Sequence, residues 1–431
     1  MNIVGIITEH NPFHNGHLYH VRKAREECAA DLVVSVMSGH FLQRGEPALF
    51  NKWARAEMAV RGGVDLVVEL PTAFSVRSAS AFALGSISLL DRMGVVTHVC
   101  FGSEAGNTDM LWPAARVLAC EPVKFKEILS TLLNTGLPYP AARAEALTRY
   151  LAQQGVNLPE ETFKSPNNIL GIEYLKALIN TGSSIVPSAI KRFAAGYHDR
   201  EIDPVSTGVD SANNDSANNG PANIASATSI RERLISDNNC TDGIAAVVPT
   251  TSLEVIKREI AGGRGPVFID NYDRVLFYLL RTLSHEYLSL LNDVGEGLEN
   301  RILEVSLAAD SVRKLLQGVK TKRYTWTRIQ RILSYILLGY TRDMAHAFEK
   351  NGPLYIRVLG LSAKGRASLK KIKKQASVPV ITRTSPFLGK GDNIAQMLAF
   401  DVRATDIYTL LYPGKTITRQ GIDCKIMPYV R

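Results

Sequence analysis

The chain is 431 residues long, 45% hydrophobic and 21% charged, enough for two or three packed domains and incompatible with a disordered or fibrous protein. No apolar run approaches the roughly 18 residues that cross a bilayer, no secretory signal opens the chain, and five scattered cysteines (Cys28, Cys100, Cys120, Cys240, Cys424) lack CxxC spacing; a cytoplasmic protein without a disulfide framework or structural zinc is expected. The net charge of +9 is uneven: residues 301–431 hold 24 Lys+Arg against 8 Asp+Glu (+16), and residues 1–300 hold 26 against 33 (−7), so the last third suits either a polyanionic partner, most simply nucleic acid, or a solvated basic surface.

The first hundred residues alternate two patterns. Asn2–Ile7, Leu32–Met37, Val64–Leu70 and His98–Phe101 are continuous apolar runs, and 16–29, Asn51–Gly62 and Ser78–Met93 are helical stretches between them. Strands buried on both faces and separated by helices predict a parallel sheet, whose ligand site lies at the carboxyl ends of the strands. Residues 122–200 read mainly as helices. Residues 204–223 carry DSANN twice (Asp210–Asn214, Asp215–Asn219) and lack the apolar content to fold, which predicts a flexible loop. From about Ile256 onward helices dominate, with short strands expected near Tyr355–Leu359 and Val378–Thr382 and a helix near Ile394–Arg403. The expected division is therefore an α/β, Rossmann-like domain over 1–245 and a mostly helical, basic domain over 246–431.

The chemistry concentrates after the first strand, in Ile7-Thr8-Glu9-His10-Asn11-Pro12-Phe13-His14-Asn15-Gly16-His17-Leu18-Tyr19-His20. A helix starting here presents unpaired N–H groups and a positive dipole end, which attract phosphate. Gly16 permits close backbone approach. His14 and His17, three apart, can both donate hydrogen bonds to phosphate and stabilise charge developing there. Four of the nine histidines lie in this window, so a metal site or ordinary structural histidines compete with the nucleotide reading; the absence of Cys and of HExxH spacing favours the nucleotide. Ile224-Ala225-Ser226-Ala227-Thr228-Ser229-Ile230-Arg231 places small hydroxyls before a helix and an arginine in its first turn. Alone this is an N-cap signal; paired with HxGH it is a second phosphate-binding element in which Ser226, Thr228 and Arg231 would hold pyrophosphate.

Taken together, these stretches resemble the tRNA(Met) cytidine acetate ligase family of HxGH nucleotidyltransferases over nearly the whole length. The carriers are EHNPFHNGHLYH (Glu9–His20), VMSGHFLQRGEPA (Val36–Ala48), KWAR (Lys52–Arg55), GVDLVVELP (Gly63–Pro71), FGSE (Phe101–Glu104), KSPNNILG (Lys164–Gly171), YHD (Tyr197–Asp199), SATSIR (Ser226–Arg231) and KTKRYTWTRIQR (Lys320–Arg331). His10 stands where the family usually has Tyr, and the DSANN repeats look like an insertion. The resemblance implies an ATP-dependent ligase that converts acetate to acetyl-adenylate and passes the acetyl group to the wobble cytidine of elongator tRNA(Met). It implies ATP contacts from residues 7–20 with Gly102, Asn167 and Arg192, catalytic roles for His14, His17 and Arg231, ATP and acetate as substrates with Mg²⁺ possible, no bound metal of the protein's own, and no protein partner or membrane. Arg44 and Glu46 are either substrate contacts or a structural ion pair. For RNA, Lys320, Lys322, Arg323, Arg328 and Arg331 are the candidates, with Lys370, Lys371, Lys373 and Lys374 either a second patch or a solvated helix face. Trp326, in register with Ile329 and Leu333, is expected in the core. Two other readings remain: a small-molecule adenylyltransferase or acyl-adenylate synthetase on the same core, and a non-catalytic RNA-binding protein regulated by ATP.

Overall fold

The computed structural model describes residues 1–192, 223–415 and 417–431. The DSANN repeats and the Tyr197–Asp199 stretch lie outside the described residues.

In chain order, the elements that build and support the site are β1 (Ile3–Thr8), α1 (Asn15–Glu27), β2 (Leu32–Ser38), α2 (Lys52–Arg61), β3 (Leu66–Leu70), α3 (Ala79–Arg92), β4 (His98–Ser103), α4 (Pro166–Thr181), β5 (Val186–Lys191), α5 (Ala227–Ser236), α6 (Trp326–Leu338), β6 (Ile356–Leu361), α7 (Ala363–Gln375), β7 (Val380–Ile381), α8 (Asn393–Thr409) and β8 (Tyr429–Val430). The four apolar runs of the first hundred residues are β1 to β4, and β2 and β3 are buried at every position. The sheet runs β5-β4-β1-β2-β3-β6-β7, with β8 also pairing with β6. Its first five strands are parallel, and β6 joins β3 antiparallel, with Leu66 opposite Leu361 and Glu69 opposite Arg357. Because β2 lies on one side of β1 and β4 on the other, the chain order reverses at the carboxyl ends of β1 and β4. That is the crevice where open α/β sheets bind ligands.

The strand β5 carries no sequence signal: Val-Pro-Ser-Ala-Ile-Lys has neither alternation nor a continuous apolar run, and its Val186 is exposed on the sheet edge. There the lost donor of Pro187 costs little. The expected strands near 355–359 and 378–382 occur as β6 and β7, and they extend this same sheet. One apolar core correspondingly runs from Val34 and Phe74 to Tyr272, Tyr335 and Leu398.

A buried ionic cluster joins the same two stretches of chain. Lys52 Nζ lies 2.8 Å from Glu69 Oε1 and 3.1 Å from Asp423 Oδ2, and Arg357 Nη1 lies 3.0 Å from Glu69 Oε2 while its other arm pairs with Asp423. All four side chains are essentially inaccessible. Two cations against two carboxylates make the cluster neutral, the condition under which buried charges are tolerated. Burial alone would raise Asp423, but Lys52 and Arg357 hold it well below the usual carboxylate range.

Candidate active site

The turn between β1 and α1 is fixed from several sides. Arg55 of α2, fully buried, donates to Glu9 O at 2.6 Å, to Phe50 O at 2.9 Å and to Gly39 O. Asn11 Oδ1 accepts from Leu49 N at 2.7 Å. Phe13 is completely buried, with His10 at 4.9 Å between ring centroids. On the far side Asn15 donates from Nδ2 to Asn223 O and Ala246 O, both at 3.1 Å, and from its backbone N to Val247 O at 3.0 Å. Arg55 is a residue that sequence reasoning left without a role. An arginine in KWAR reads as a surface cation, and only the fold reveals that it gathers three backbone carbonyls.

His14 is the N-cap of α1. Its Nδ1 accepts from Gly16 N at 3.0 Å, and His17 Nδ1 accepts from His14 N at 3.3 Å. A nitrogen that accepts carries no proton, so in both neutral rings Nε2–H is the donor. The rings lie 3.9 Å apart, and His10 meets His17 edge-on at 4.8 Å. Burial pushes His14 down to about 3, and the guanidinium groups of Arg192 and Arg231 push in the same direction. Burial, followed by the charges of His14, His10 and His20 and then Arg192, holds His17 well below 6.5. Both rings are therefore neutral, and each has an Nε2–H to donate. Gly16 is required here because a side chain would meet the His14 ring at 2.8 Å.

Two arginines flank the imidazoles. Arg192, just past β5, reaches Asn167 Oδ1 with Nη1 at 3.3 Å, and Asn167 Nδ2 donates to Glu104 at 2.6 Å. Glu104 also accepts from Asn168 N at 2.8 Å, so this carboxylate caps the first turn of α4 while orienting Asn167; it too was missed at the level of single residues. Gly102, the next-to-last residue of β4, lies under the Arg192 side chain, where a Cβ would sit 3.1 Å from Arg192 Cγ. On the other flank Arg231 donates from Nη1 to Asn11 O at 3.2 Å and from Nη2 to Thr228 Oγ1 at 3.2 Å. Ser226 accepts from Ser229 N at 3.0 Å; it is the N-cap of α5, and its hydroxyl lone pair is engaged with the helix. Thus Asn11, His14, His17, Gly102, Asn167, Arg192, Thr228 and Arg231 come together at the carboxyl ends of β1 and β4, although 220 positions separate Asn11 from Arg231. Glu46, from the loop after β2, lies 3.9 Å from Arg231, so it faces the guanidinium of the site; Arg44, two residues earlier, is exposed.

The buried histidines make stability pH-dependent. Five of them (His10, His14, His17, His20, His40) have depressed pKa values, with His14 at about 3 and His20 at about 4. Between those values and 6.5 the unfolded chain binds protons that the folded chain refuses, so stability is lost as pH falls below about 6.5. Glu9 and Asp401, raised by burial, act in the opposite sense, two groups against five. Thermal unfolding of the ligand-free protein should therefore show a Tm several degrees lower at pH 5.5 than at 7.5; an equal or higher Tm at 5.5 would mean that the imidazoles are not buried as neutral groups.

The sequence model described as HIGH Nucleotidyl Transferase matches residues 1–422. A tRNA(Met) cytidine acetate ligase of Acetivibrio thermocellus is 41% identical over 425 residues, covering 98% of either chain, and that of Halothermothrix orenii is 39% identical over an alignment of 442 residues, covering 100% of both. The chain belongs to the tRNA(Met) cytidine acetate ligase family of HIGH nucleotidyl transferases. The crystal structure of Thermotoga maritima TmcAL bound with alpha-thio ATP is similar to the whole fold, with TM-score 0.88 and 35% identity over 100% of this chain and 99% of that one; the apo form gives 0.89.

In this acetate ligase family member the basic segment 320–331 divides in two. Lys320, Lys322 and Arg323 are exposed, although Arg323 lies 3.1 Å from Glu296. Arg328 donates to Asp293 O at 2.9 and 3.2 Å, and Arg331 is buried, 3.8 Å from Asp293. Trp326 corrects an expectation. It is 41% exposed, whereas Ile329, Ile332, Leu333 and Ile336 are buried. The register is as predicted, but Thr325 caps α6 and Trp326 opens it, one turn beyond the edge of the core. The lysines of α7 are exposed, on a helix without an acidic residue. Among the described residues no helix is long and apolar enough to cross a membrane.

Proposed function

We propose that this chain activates acetate with ATP and transfers the acetyl group to the N4 amine of the wobble cytidine of elongator tRNA(Met), in the cytoplasm. The observation that carries the reading is the pair of neutral imidazoles with Nε2–H donors, flanked by Arg192 and Arg231 at the carboxyl edge of β1 and β4.

In the first step an acetate oxygen attacks the α-phosphorus of ATP. The new O–P bond forms as the bond to the β-phosphate oxygen breaks, and pyrophosphate leaves. Negative charge spreads over the α-phosphate oxygens, where His14 and His17 donate, and collects on the leaving pyrophosphate, where Arg231 and Thr228 stand. Arg192 and Asn167, with Gly102 beneath the Arg192 side chain, form the adjacent edge, on which the nucleoside end of ATP would lie. In the second step N4 of cytosine attacks the acetyl carbonyl, AMP leaves, and the amine loses one proton. The mixed anhydride is already activated, so positioning is the main demand. An anticodon-loop base is poorly stacked and is presented cheaply. Among the described residues no group of three His, Cys, Asp or Glu side chains could hold a metal ion. Mg²⁺ would therefore accompany the nucleotide on phosphate oxygens and water and offset phosphate charge.

Lys320, Lys322 and Arg323 are the RNA-facing cations in this reading, and Arg328 and Arg331 brace the segment against Asp293. The double reversal Lys322→Glu with Arg323→Glu should weaken tRNA binding about tenfold or more at low salt and flatten its salt dependence, with ATP–pyrophosphate exchange retained. Unchanged tRNA affinity would remove this surface from the reading. The defining test combines purified protein, ATP, radiolabelled acetate and bulk tRNA. Label entering tRNA, dependent on ATP and indifferent to acetyl-CoA, is the expected result. Exchange with another acid and no labelled tRNA would indicate a small-molecule adenylate synthetase, and no ATP turnover would indicate an RNA-binding protein.

A further inference from the structure

The loop after β2 is a tight reversal whose tip rests on α6. Leu42 N donates to Glu46 O and Gly45 N to Leu42 O, both at 2.9 Å. Ser334 Oγ of α6 donates to Gly45 O at 2.8 Å. Gly45 has φ +86°, and a side chain there would run into the backbone of Gln330 and Arg331. Loop and helix are thus in backbone contact, and α6 cannot shift without carrying the loop. Beside this contact, Gln330, only 6% exposed, donates from Nε2 to Glu46 Oε1 at 3.3 Å, and Glu46 Oε2 lies 3.9 Å from Arg231 Nη2. Arg231 in turn holds Asn11 O inside the HxGH turn. One carboxylate therefore bridges an amide on the helix that follows the exposed cations 320–323 and the guanidinium beside the phosphate site.

We propose that Glu46 and Gln330 are positioning residues that couple tRNA docking to the grip on ATP. This rests on the reading above, in which RNA meets residues 320–323 and Arg231 meets the phosphates. RNA bound ahead of α6 fixes its first turns. Gln330 then fixes Glu46, and Glu46 holds the guanidinium where the phosphates arrive, so ATP binds more tightly when tRNA is present. The arrangement suits a two-step reaction whose adenylate is wasted on water when no acceptor is bound. Couplings between sites in proteins commonly amount to about 5- to 150-fold, and by linkage tRNA affinity must rise with ATP by the same factor.

The test measures the Kd of α,β-methylene ATP without acetate, so that no chemistry follows, in the presence and absence of saturating elongator tRNA(Met). Wild-type protein should bind the analogue about fivefold or more tightly with tRNA, at the low end of such couplings. In Gln330→Met, which keeps side-chain volume but loses the amide donor, and in Glu46→Gln, which keeps shape but loses the charge, the ratio should fall to within about twofold of unity while both ligands still bind. A purely structural role would alter stability and leave the ratio in place. Wild-type coupling persisting in both variants, or a wild-type ratio of one with both ligands bound, overturns the proposal. Failure of Arg231→Ala to weaken analogue binding, or of tRNA to bind wild-type protein, would instead overturn the reading of the site and the coupling with it.

Discussion

Replacing His17 by alanine should reduce ATP–pyrophosphate exchange by at least about 10²- to 10³-fold, the loss typical when one preorganised donor to a developing oxyanion is removed. Binding of tRNA should be nearly unaffected. His14→Ala should do the same and also lower stability, because that side chain caps α1 through the bond it accepts from Gly16 N, and a lost cap costs about 1 kcal/mol. The two effects separate in His14→Asn. Asparagine is a good cap, so stability should return; it cannot place a donor where Nε2 of the imidazole stands, so exchange should stay low. If His14→Asn restored exchange along with stability, the ring would be a cap and nothing more, and the neutral-donor account of activation would fail.

The second large effect is on stability. Lys52→Ala leaves Glu69 and Asp423 facing each other with only Arg357 between them, in a place water does not reach. Removing one partner of a buried ionic cluster typically costs about 3–5 kcal/mol, a large share of the roughly 5–15 kcal/mol that separates folded from unfolded protein. A Tm drop of several degrees, with loss of the expressed folded protein at higher temperature, should be seen in calorimetry. Lys52→Met paired with Asp423→Asn removes one charge of each sign and should recover part of the loss, because the remaining pair, Arg357 and Glu69, is again neutral. A Lys52→Ala protein as stable as wild type would mean that the carboxylates take up protons at little cost. The cluster also lies close to the site: Gly39, whose carbonyl Arg55 holds, leaves no room for a side chain against Glu69 Oε1 at 2.6 Å, so loosening it should disturb the 39–50 loop as well.

Much of the site was readable because its parts are local. The HxGH turn follows an apolar run and precedes a helical one within twenty residues, and SATSIR begins a helix with a cap and an arginine at its fifth position. Each segment names its own chemistry, and their co-occurrence points to one reaction. The cations of 320–331 were readable as charge but not as surface: Arg331 is buried and Arg328 is spent on a backbone carbonyl, which depends on where Asp293 and Glu296 arrive from an earlier loop. Trp326 shows the same limit from the other side, since periodicity gives the face of a helix and not the point along it where the core ends.

By itself the sequence determined the alternation of strands and helices, the parallel sheet and the place of the candidate site after β1, because those properties follow from hydrophobic period, turn chemistry and helix ends over short stretches. It could not decide that Arg55 would gather three carbonyls, that Glu104 would cap α4, that β5 would form at an edge from an unpromising segment, or that β6 to β8 would extend the sheet begun by β1 to β5. Each of those is a contact between residues far apart in the chain, stabilised by burial and pairing that exist only once the tertiary structure has brought the partners together.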